Sequence, residues 1–424
     1  MKQTQKSDSP TGIYNVLELG WPKAFILGLQ HAFAMFGATV MVPMITGLSV
    51  TTTLFMAGLG TLLFHFLTKG KVPAFLGSSF AFLGGYAAVA PMLDGNKPNT
   101  EMLPYACGGV LVAGLVYVLF SALIKFYGTE KIMRFFPPVV TGPIIICIGL
   151  ILIPSAINNS KTNWLLAGLA LVIILTCNIF GRGMIKIIPI IISVITTYIV
   201  AICMGKVDFS SITSSSVIAV PLESSAFAKF DISAIISIMP IALATMMEHI
   251  GDISAISATT GKNYIKNPGL HRTLLGDGLA TSLSAFLGGP ANTTYGENTG
   301  VLALTKVYDP LVMQIAACFA IIISFFPIVG GFIKSIPMAI VGGVSLVLYT
   351  MISWIGVRNL KEQNVDFKKV RNVIIVAVII ISALGINHIN GITFHVGSVV
   401  LNLSGLAVAS LAGIILNIVL PGNE

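Results

Sequence analysis

Between residues 24 and 420 the chain is a succession of apolar blocks, most of them long enough for about 20 helical residues, parted by short polar or glycine- and proline-rich joints. A block of that length crosses the bilayer as a helix, because a helix pairs its own backbone groups where no water can reach them. Of the 424 residues, 55% are apolar and 9% charged, against about 25% charged in a soluble domain. A soluble fold of this composition could not cover its surface with polar groups. A transmembrane β-barrel is excluded as well, since its strands alternate apolar and polar residues and these blocks are continuous. The chain reads as an all-α polytopic membrane protein, with no connection long enough for a second folded domain.

The blocks place fourteen spans near residues 24–45, 51–68, 73–93, 105–126, 135–154, 163–180, 186–204, 232–250, 273–289, 290–305, 310–327, 333–354, 371–387 and 397–420. Cytoplasmic connections collect Lys and Arg. All but five of the 24 basic residues fall in the N-terminal segment and the even-numbered connections, the exceptions being Lys97, Lys161, Lys206, Lys229 and Lys334. Both termini are therefore expected in the cytoplasm of a cell-membrane protein. The net charge of +8 follows from this topology, not from a nucleic-acid surface. The first 20 residues are polar and carry no signal-peptide pattern. Cys107, Cys147, Cys177, Cys203 and Cys318 lie in apolar blocks without a CxxC pair, which suits packing rather than disulfides or metal.

The longest polar connection, Lys206 to Asp231, leaves seven spans on each side, and an odd number per half makes any repeat inverted in the membrane. Pro73 and Pro290, Phe80 and Glu297, and His31 and Glu248 recur at one constant offset, and Pro137-x4-Gly142 recurs as Pro337-x4-Gly342. Fourteen transmembrane segments in two inverted repeats of seven are thus expected. Spans 3 and 10 stand apart. In PAFLGSSFAFLGG (73–85) and PANTTYGENTG (290–300) proline, glycine and hydroxyl residues break the helix into short extended stretches. Unpaired backbone at that depth is tolerated only where it lines a protein cavity, and broken segments at matching places in two inverted halves mark a transporter's binding site. Short loops between spans are the plainer alternative.

Ionisable groups inside the hydrocarbon are costly and point to function. Glu248 and Asp252 are four residues apart, on one helix face; Asp252 at the cytoplasmic interface is the alternative. Glu297 lies in the broken stretch of span 10 with no basic residue before Lys306. A lone carboxylate there is neutralised by a proton, a cation or donor groups of a ligand. His31 lies mid-span, and an ordinary imidazole, with a pKa of about 6.5, exchanges protons near neutral pH; a core histidine bonded to a backbone carbonyl or to Gln30 explains it equally well. His249 reads as a packed histidine, and Asp277 and His65 as structural residues near cytoplasmic span ends. Acceptor carboxylates, the aromatic face of Phe80 and free backbone donors suit a small, flat, neutral molecule with N–H donors and carbonyl acceptors, as nucleobases are. No metal-ligand cluster, Ser/His/Asp set or phosphate loop is present, so no enzyme and no cofactor are expected.

Glu297-Asn298-Thr299-Gly300-x4-Thr305-Lys306, with Gln30-His31 and ATMMEHIGD (244–252), resembles the signature motifs of the nucleobase-ascorbate transporter family. LQHAFAMFGATVMVP, KVPAFLGSSFAF, NPGLHRTLLGDGLAT and PANTTYGENTGV resemble its bacterial uracil permeases, over about Trp21 to Leu420. The resemblance implies a cytoplasmic segment (1–20), a core domain of spans 1–4 and 8–11 (21–130 and 232–328), a gate domain of spans 5–7 and 12–14 (131–206 and 329–424), an extracytoplasmic connection (207–231), and a homodimer paired through the gates. It implies Glu248 and Glu297 as substrate carboxylates, Phe80 stacked near the base, backbone at Tyr295 and Gly296 meeting carbonyl oxygens, and His31 supporting the site. Tyr349 is implied as a gate residue. Asp252 stands where the best-studied relatives have histidine, which leaves the proton path open.

An ionised glutamate at position 297 only accepts hydrogen bonds, which suits the N–H groups of uracil; purine carriers of the family usually have glutamine there. Uracil import with protons as coupling ion is therefore expected, since an enclosed glutamate can bind a proton as substrate arrives and release it on the cytoplasmic side. A purine or other organic-anion carrier, sodium coupling through Glu248 and Asp252, and a channel remain as alternatives.

Overall fold

The computed structural model describes residues 12–93, 97–134, 136–389, 391–396 and 399–421, so the expected N-terminal segment enters from residue 12. The first half comprises α1 (Trp21–Thr46), α2 (Val50–Leu67), β1 (Leu76–Ser78), α3 (Leu83–Val89), α4 (Leu103–Tyr127), α5 (Pro138–Ser160), α6 (Trp164–Phe180) and α7 (Pro189–Cys203). The second comprises α8 (Ile232–Ile238), α9 (Ile241–Thr260), α10 (Leu270–Phe286), β2 (Asn292–Thr294), α11 (Gly296–Thr305), α12 (Pro310–Ser324), α13 (Pro327–Lys334), α14 (Met338–Glu362), α15 (Val370–His388), β3 (Ile392–Val396), β4 (Val399–Leu403) and α16 (Gly405–Val419). Helix starts follow local chemistry. The side chains of Ser49, Asn163, Asp231, Asp309 and Ser404 each accept a first-turn N–H of the helix they precede, satisfying donors that have no intrahelical partner.

Among the described residues, α1, α2, α4, α5, α8 with α9, α14 and α15 are each long and apolar enough to span a membrane. Shorter apolar helices α6, α7 and α16 lie where spans 6, 7 and 14 were expected. Met239-Pro240 interrupts span 8 between α8 and α9. The end of span 11 differs from expectation: after α12 the chain bends by 83° into the short helix α13. Span 14 differs too. Its helix begins at Gly405, because β3 and β4 pair antiparallel, Ile392 facing Leu403 and Val396 facing Val399. β-Branched residues in ITFHV and VVLNL favour extended backbone, and an apolar run alone does not separate strand from helix.

The packing occurs in matched pairs. α2 lies on α12 as α4 lies on α10, α6 on α14 as α15 on α5, and α6 on α7 as α15 on α16, while α5 and α14 pack on each other. This is the arrangement that two inverted copies of seven segments produce. Glycines allow the closest of these approaches, as small residues do between membrane helices. A Cβ at Gly149 of α5 would lie 2.2 Å from the carbonyl oxygen of Tyr349 on α14, and one at Gly114 of α4 2.7 Å from that of Gly278 on α10.

Spans 3 and 10 meet at the centre of the duplication. β1 and β2 pair antiparallel, Leu76 with Thr294, Gly77 with Thr293 and Ser78 with Asn292. The Tyr295 hydroxyl donates to the carbonyl oxygen of Ser78, 217 residues away, at 2.9 Å; that separation is the offset read from the sequence. The strand backbone is satisfied by surrounding helices: Thr61 Oγ1 accepts the Leu76 N–H at 2.9 Å, and Thr281 Oγ1 donates to Asn292 O at 2.6 Å. From each strand the chain turns into a half-helix, α3 or α11.

The connection 207–231 lies over one end of the bundle. Thr52 Oγ1, at the start of α2, donates to Pro221 O at 2.6 Å, and Lys229 N–H donates to Pro104 O at the start of α4 at 2.9 Å. Residues 12–20 lie at the opposite end, bonded to Thr260 and Lys306.

Candidate functional site

The carboxylates singled out in the sequence converge where α9 passes the start of α11. Glu248 and Asp252 are one helical turn apart on α9 and Glu297 is in the first turn of α11. All three are partly accessible and lie within electrostatic reach of one another. Glycines keep the space between them open. Gly251, Gly296 and Gly300 are exposed; a Cβ at Gly251 or Gly300 would touch nothing within 4 Å, and one at Gly296 only Asp252 Oδ1, at 3.3 Å. The result is a cleft with carboxylate oxygens on both walls. Among the described residues the one ion pair of a lysine or arginine is Arg358–Glu362, and His249 contacts Asp277, so no lysine or arginine neutralises the cleft. A ligand there supplies N–H donors, a proton or a cation.

The start of α11 adds donors. The first N–H groups of a helix have no intrahelical partner and form the positive end of its dipole, which favours a carbonyl oxygen of a ligand. Of the two backbone positions expected to meet such oxygens, Gly296 fits this description. Tyr295 does not: its N–H donates to Phe75 O at 2.9 Å, because the pairing of β1 and β2 runs on to that residue, and its ring is 3% exposed. Phe80, just before α3, is partly buried and touches both large apolar clusters of the protein.

His31 is fully buried on α1. The Asn298 amide donates to its Nδ1 and to its backbone oxygen, each at 3.2 Å. The imidazole therefore steadies the residue next to Glu297, through the second position of the signature and not through Gln30. Its Nε2 has no protein partner among the described residues. Tyr349 lies in the other helical group, 1% exposed on α14 where that helix meets α5.

Asp277 is the residue whose setting the sequence misjudged. Rather than standing at a span end, it is wholly enclosed behind the cleft: His249 Nδ1 is 3.5 Å from Asp277 Oδ1 and 3.0 Å from Thr294 Oγ1, with both ionisable side chains 0% exposed. This cluster joins α9, α10 and β2 directly behind Glu248. The available signal was a lone aspartate within the small-residue run LLGDGLA. His65 is structural as expected, with Nε2 donating to Ala74 O at 2.8 Å and Nδ1 accepting from Gln314 at 3.1 Å. Among the cysteines, 107, 147 and 177 are buried, whereas Cys203 and Cys318 are exposed.

Comparison with known proteins shows the family and the fold. The sequence model described as "Permease family" matches residues 22–392. The chain is 40% identical over 408 residues to a probable uracil permease of Haemophilus influenzae, covering 94% of each chain. It is 39% identical over 410 residues to the uracil permease of Bacillus subtilis, covering 93% of this chain and 91% of that one. Solved structures share the fold at low identity. The transmembrane domain of the cyanobacterial bicarbonate transporter BicA superposes with a TM-score of 0.60 at 14% identity, over 97% of this chain and all of that one. The murine Solute Carrier 26 family member A9 anion transporter, in its inward-facing state, gives 0.64 at 12% identity, over 99% of this chain and 73% of that one. Family, fold and the signature at the start of α11 coincide: the chain is a membrane permease, not an enzyme, and belongs to the nucleobase-ascorbate transporter family.

Proposed function

We propose that this permease imports uracil across the cell membrane by proton symport. The observation that carries the reading is the cleft between α9 and α11, which Glu248 and Glu297 border beside exposed glycines and where, among the described residues, no lysine or arginine pairs with them. Ring N–H groups of uracil donate to the two carboxylates, a ring oxygen accepts from the backbone at Gly296, and Phe80 supplies the aromatic face. Relatives named as uracil permeases at 37–40% identity over nearly the whole chain support this choice of substrate over a purine. A proton binds to one of the clustered carboxylates as uracil arrives and is released with it on the cytoplasmic side, and Asp252, close to both glutamates, relays it. No cofactor takes part; the proton is the coupling ion.

Transport proceeds by alternating access in this reading. A core domain (21–130 and 232–328) carries the cleft past a gate domain (131–206 and 329–424), in which Tyr349 closes over the substrate. All fourteen segments cross the membrane, both termini are cytoplasmic, the connection 207–231 is extracytoplasmic, and two copies pair through their gate domains. The matched packing of α5, α6, α7, α14, α15 and α16 apart from the helices around β1 and β2 supports this division.

The test is radiolabelled uracil uptake into proteoliposomes with and without an inward proton gradient, and with excess xanthine. We expect accumulation above equilibrium that needs the gradient and ignores xanthine. Glu248→Gln and Glu297→Gln are each expected to abolish it at unchanged protein content. Equilibration without accumulation would indicate a channel, competition by xanthine a purine carrier, and full uptake by both variants a site elsewhere.

A further inference from the structure

Residues 12–16, just ahead of α1, lie across the ends of the two helices that form the cleft. Ile13 N–H donates to Lys306 O at 2.8 Å and Tyr308 N–H donates to Ile13 O at 2.7 Å, a parallel bridge at the end of α11. The next residue reaches the other wall. The Tyr14 hydroxyl donates to the carbonyl oxygen of Thr260, the last residue of α9, at 2.5 Å. Its ring lies 4.0 Å beneath Lys262 Nζ and stacks edge-on with Tyr308, centroids 5.5 Å apart. Val16 N–H then donates at 2.8 Å to Asp309 Oδ2, while Asp309 Oδ1 caps α12 through the Leu311 N–H at 2.9 Å.

Segments near a chain terminus are poorly ordered unless something ties them down, and this one is tied at every residue from Ile13 to Val16 except Asn15, which caps the turn that follows. The Thr260 carbonyl is one of the last four of α9, which have no intrahelical donor, so Tyr14 fills a vacancy that the helix leaves open. Gly12 adds a fit: a Cβ there would lie 2.3 Å from the Tyr308 ring. The same stretch of chain continues into α1, whose His31 holds Asn298. The helix bearing Glu297 is thereby held at its end by Ile13 and near its start by His31, and the helix bearing Glu248 and Asp252 is held at its end by Tyr14.

We propose that residues 12–16 are a clamp that sets the width of the substrate cleft by fixing the end of α9 to the end of α11, with Tyr14 as its positioning residue. Tyr14 touches no substrate and acts through Thr260, two helical turns beyond Asp252. The proposal rests on the reading of the α9–α11 cleft as the uracil site, and two measurements separate the two ideas. The first is independent of substrate: spin labels at Ser254 on α9 and Leu304 on α11, in a background with the native cysteines replaced, report the distance between the walls. Tyr14→Ala is expected to broaden that distribution, and Tyr14→Phe, which keeps the ring and loses the hydroxyl, to broaden it less. The second is uracil affinity by calorimetry together with the KM and Vmax of uptake. For Tyr14→Phe we expect Kd and KM to rise about threefold to tenfold, the order of one lost hydrogen bond, with Vmax per folded molecule within about twofold. Unchanged distances in both variants would overturn the clamp, as would a fall in Vmax and folded yield at constant KM, the mark of a merely structural residue. If Tyr14→Ala does not fold, the distances in Tyr14→Phe decide. Wild-type protein that binds no uracil while Tyr14→Ala broadens the distances would overturn the substrate reading and leave the clamp standing.

Discussion

His249 and Asp277 illustrate how a buried pair behaves when it is broken. Both are fully enclosed, so removal of one leaves the other with Thr294 Oγ1 as its remaining contact and no ionisable partner. That costs about 3–5 kcal/mol, whereas replacing both by apolar residues is often neutral for stability. We expect His249→Leu to lose most of its folded protein, measured as monodisperse yield and melting temperature in detergent. The double variant His249→Leu/Asp277→Leu should recover a melting temperature close to wild type, and a double variant as unstable as the single one would show that the pair does not account for the loss. Legibility at this scale depended on contrast. Glu248 and Glu297 stand out because each is an uncompensated charge beside a long apolar run, and a bilayer excludes such residues unless they do something. Asp277 was passed over because distance along the chain from Lys266 and Arg272 says nothing of what α9 and β2 bring beside it. The partner of the Tyr295 N–H was not legible for a related reason, since it comes from Phe75 in the other half.

Among the elements, the helix contacts set by glycine are the ones a substitution tests most directly. A Cβ at Gly343 of α14 would lie 2.3 Å from Ala167 O on α6, and one at Gly149 of α5 2.2 Å from Tyr349 O. Backbone cannot yield as a side-chain tip does. Gly149→Ala and Gly343→Ala are each expected to destabilise by about 1–3 kcal/mol, the usual cost of overpacking. Gly168→Ala on the same α6, where a Cβ meets nothing within 4 Å, should be neutral or slightly stabilising. Thermal unfolding followed by native tryptophan fluorescence compares the three, and equal melting temperatures would refute the packing argument. The helices themselves were legible from apolar length. The breaks in spans 3 and 10 were legible from proline and glycine. The pairing of β3 and β4 was not, because Ile, Val, Leu and Phe serve a buried strand and a membrane helix equally well. Nor was the turn from α12 into α13, which passes through apolar residues on both sides.

At the level of the whole molecule, orientation in the membrane is the property to test. In a cysteine-free background, Ser214→Cys in the connection 207–231 is expected to react with a membrane-impermeant maleimide from outside intact cells. Lys262→Cys, beyond α9, is expected to react only after permeabilisation. Reversed labelling would invert the topology. By itself the sequence determined that this chain spans a membrane many times and that spans 3 and 10 are broken, with a carboxylate at the break in span 10. Each of these follows from the cost of exposing charge or unpaired backbone to hydrocarbon, a cost that depends on residue type and spacing alone. Only the tertiary structure decided that β1 pairs with β2, that Asp277 lies behind Glu248 with His249, and that Tyr14 reaches Thr260. Those partners are brought together from distant parts of the chain, Tyr14 and Thr260 being 246 residues apart. Closeness of that kind belongs to how two inverted halves fold against each other, and no local pattern of residues records it.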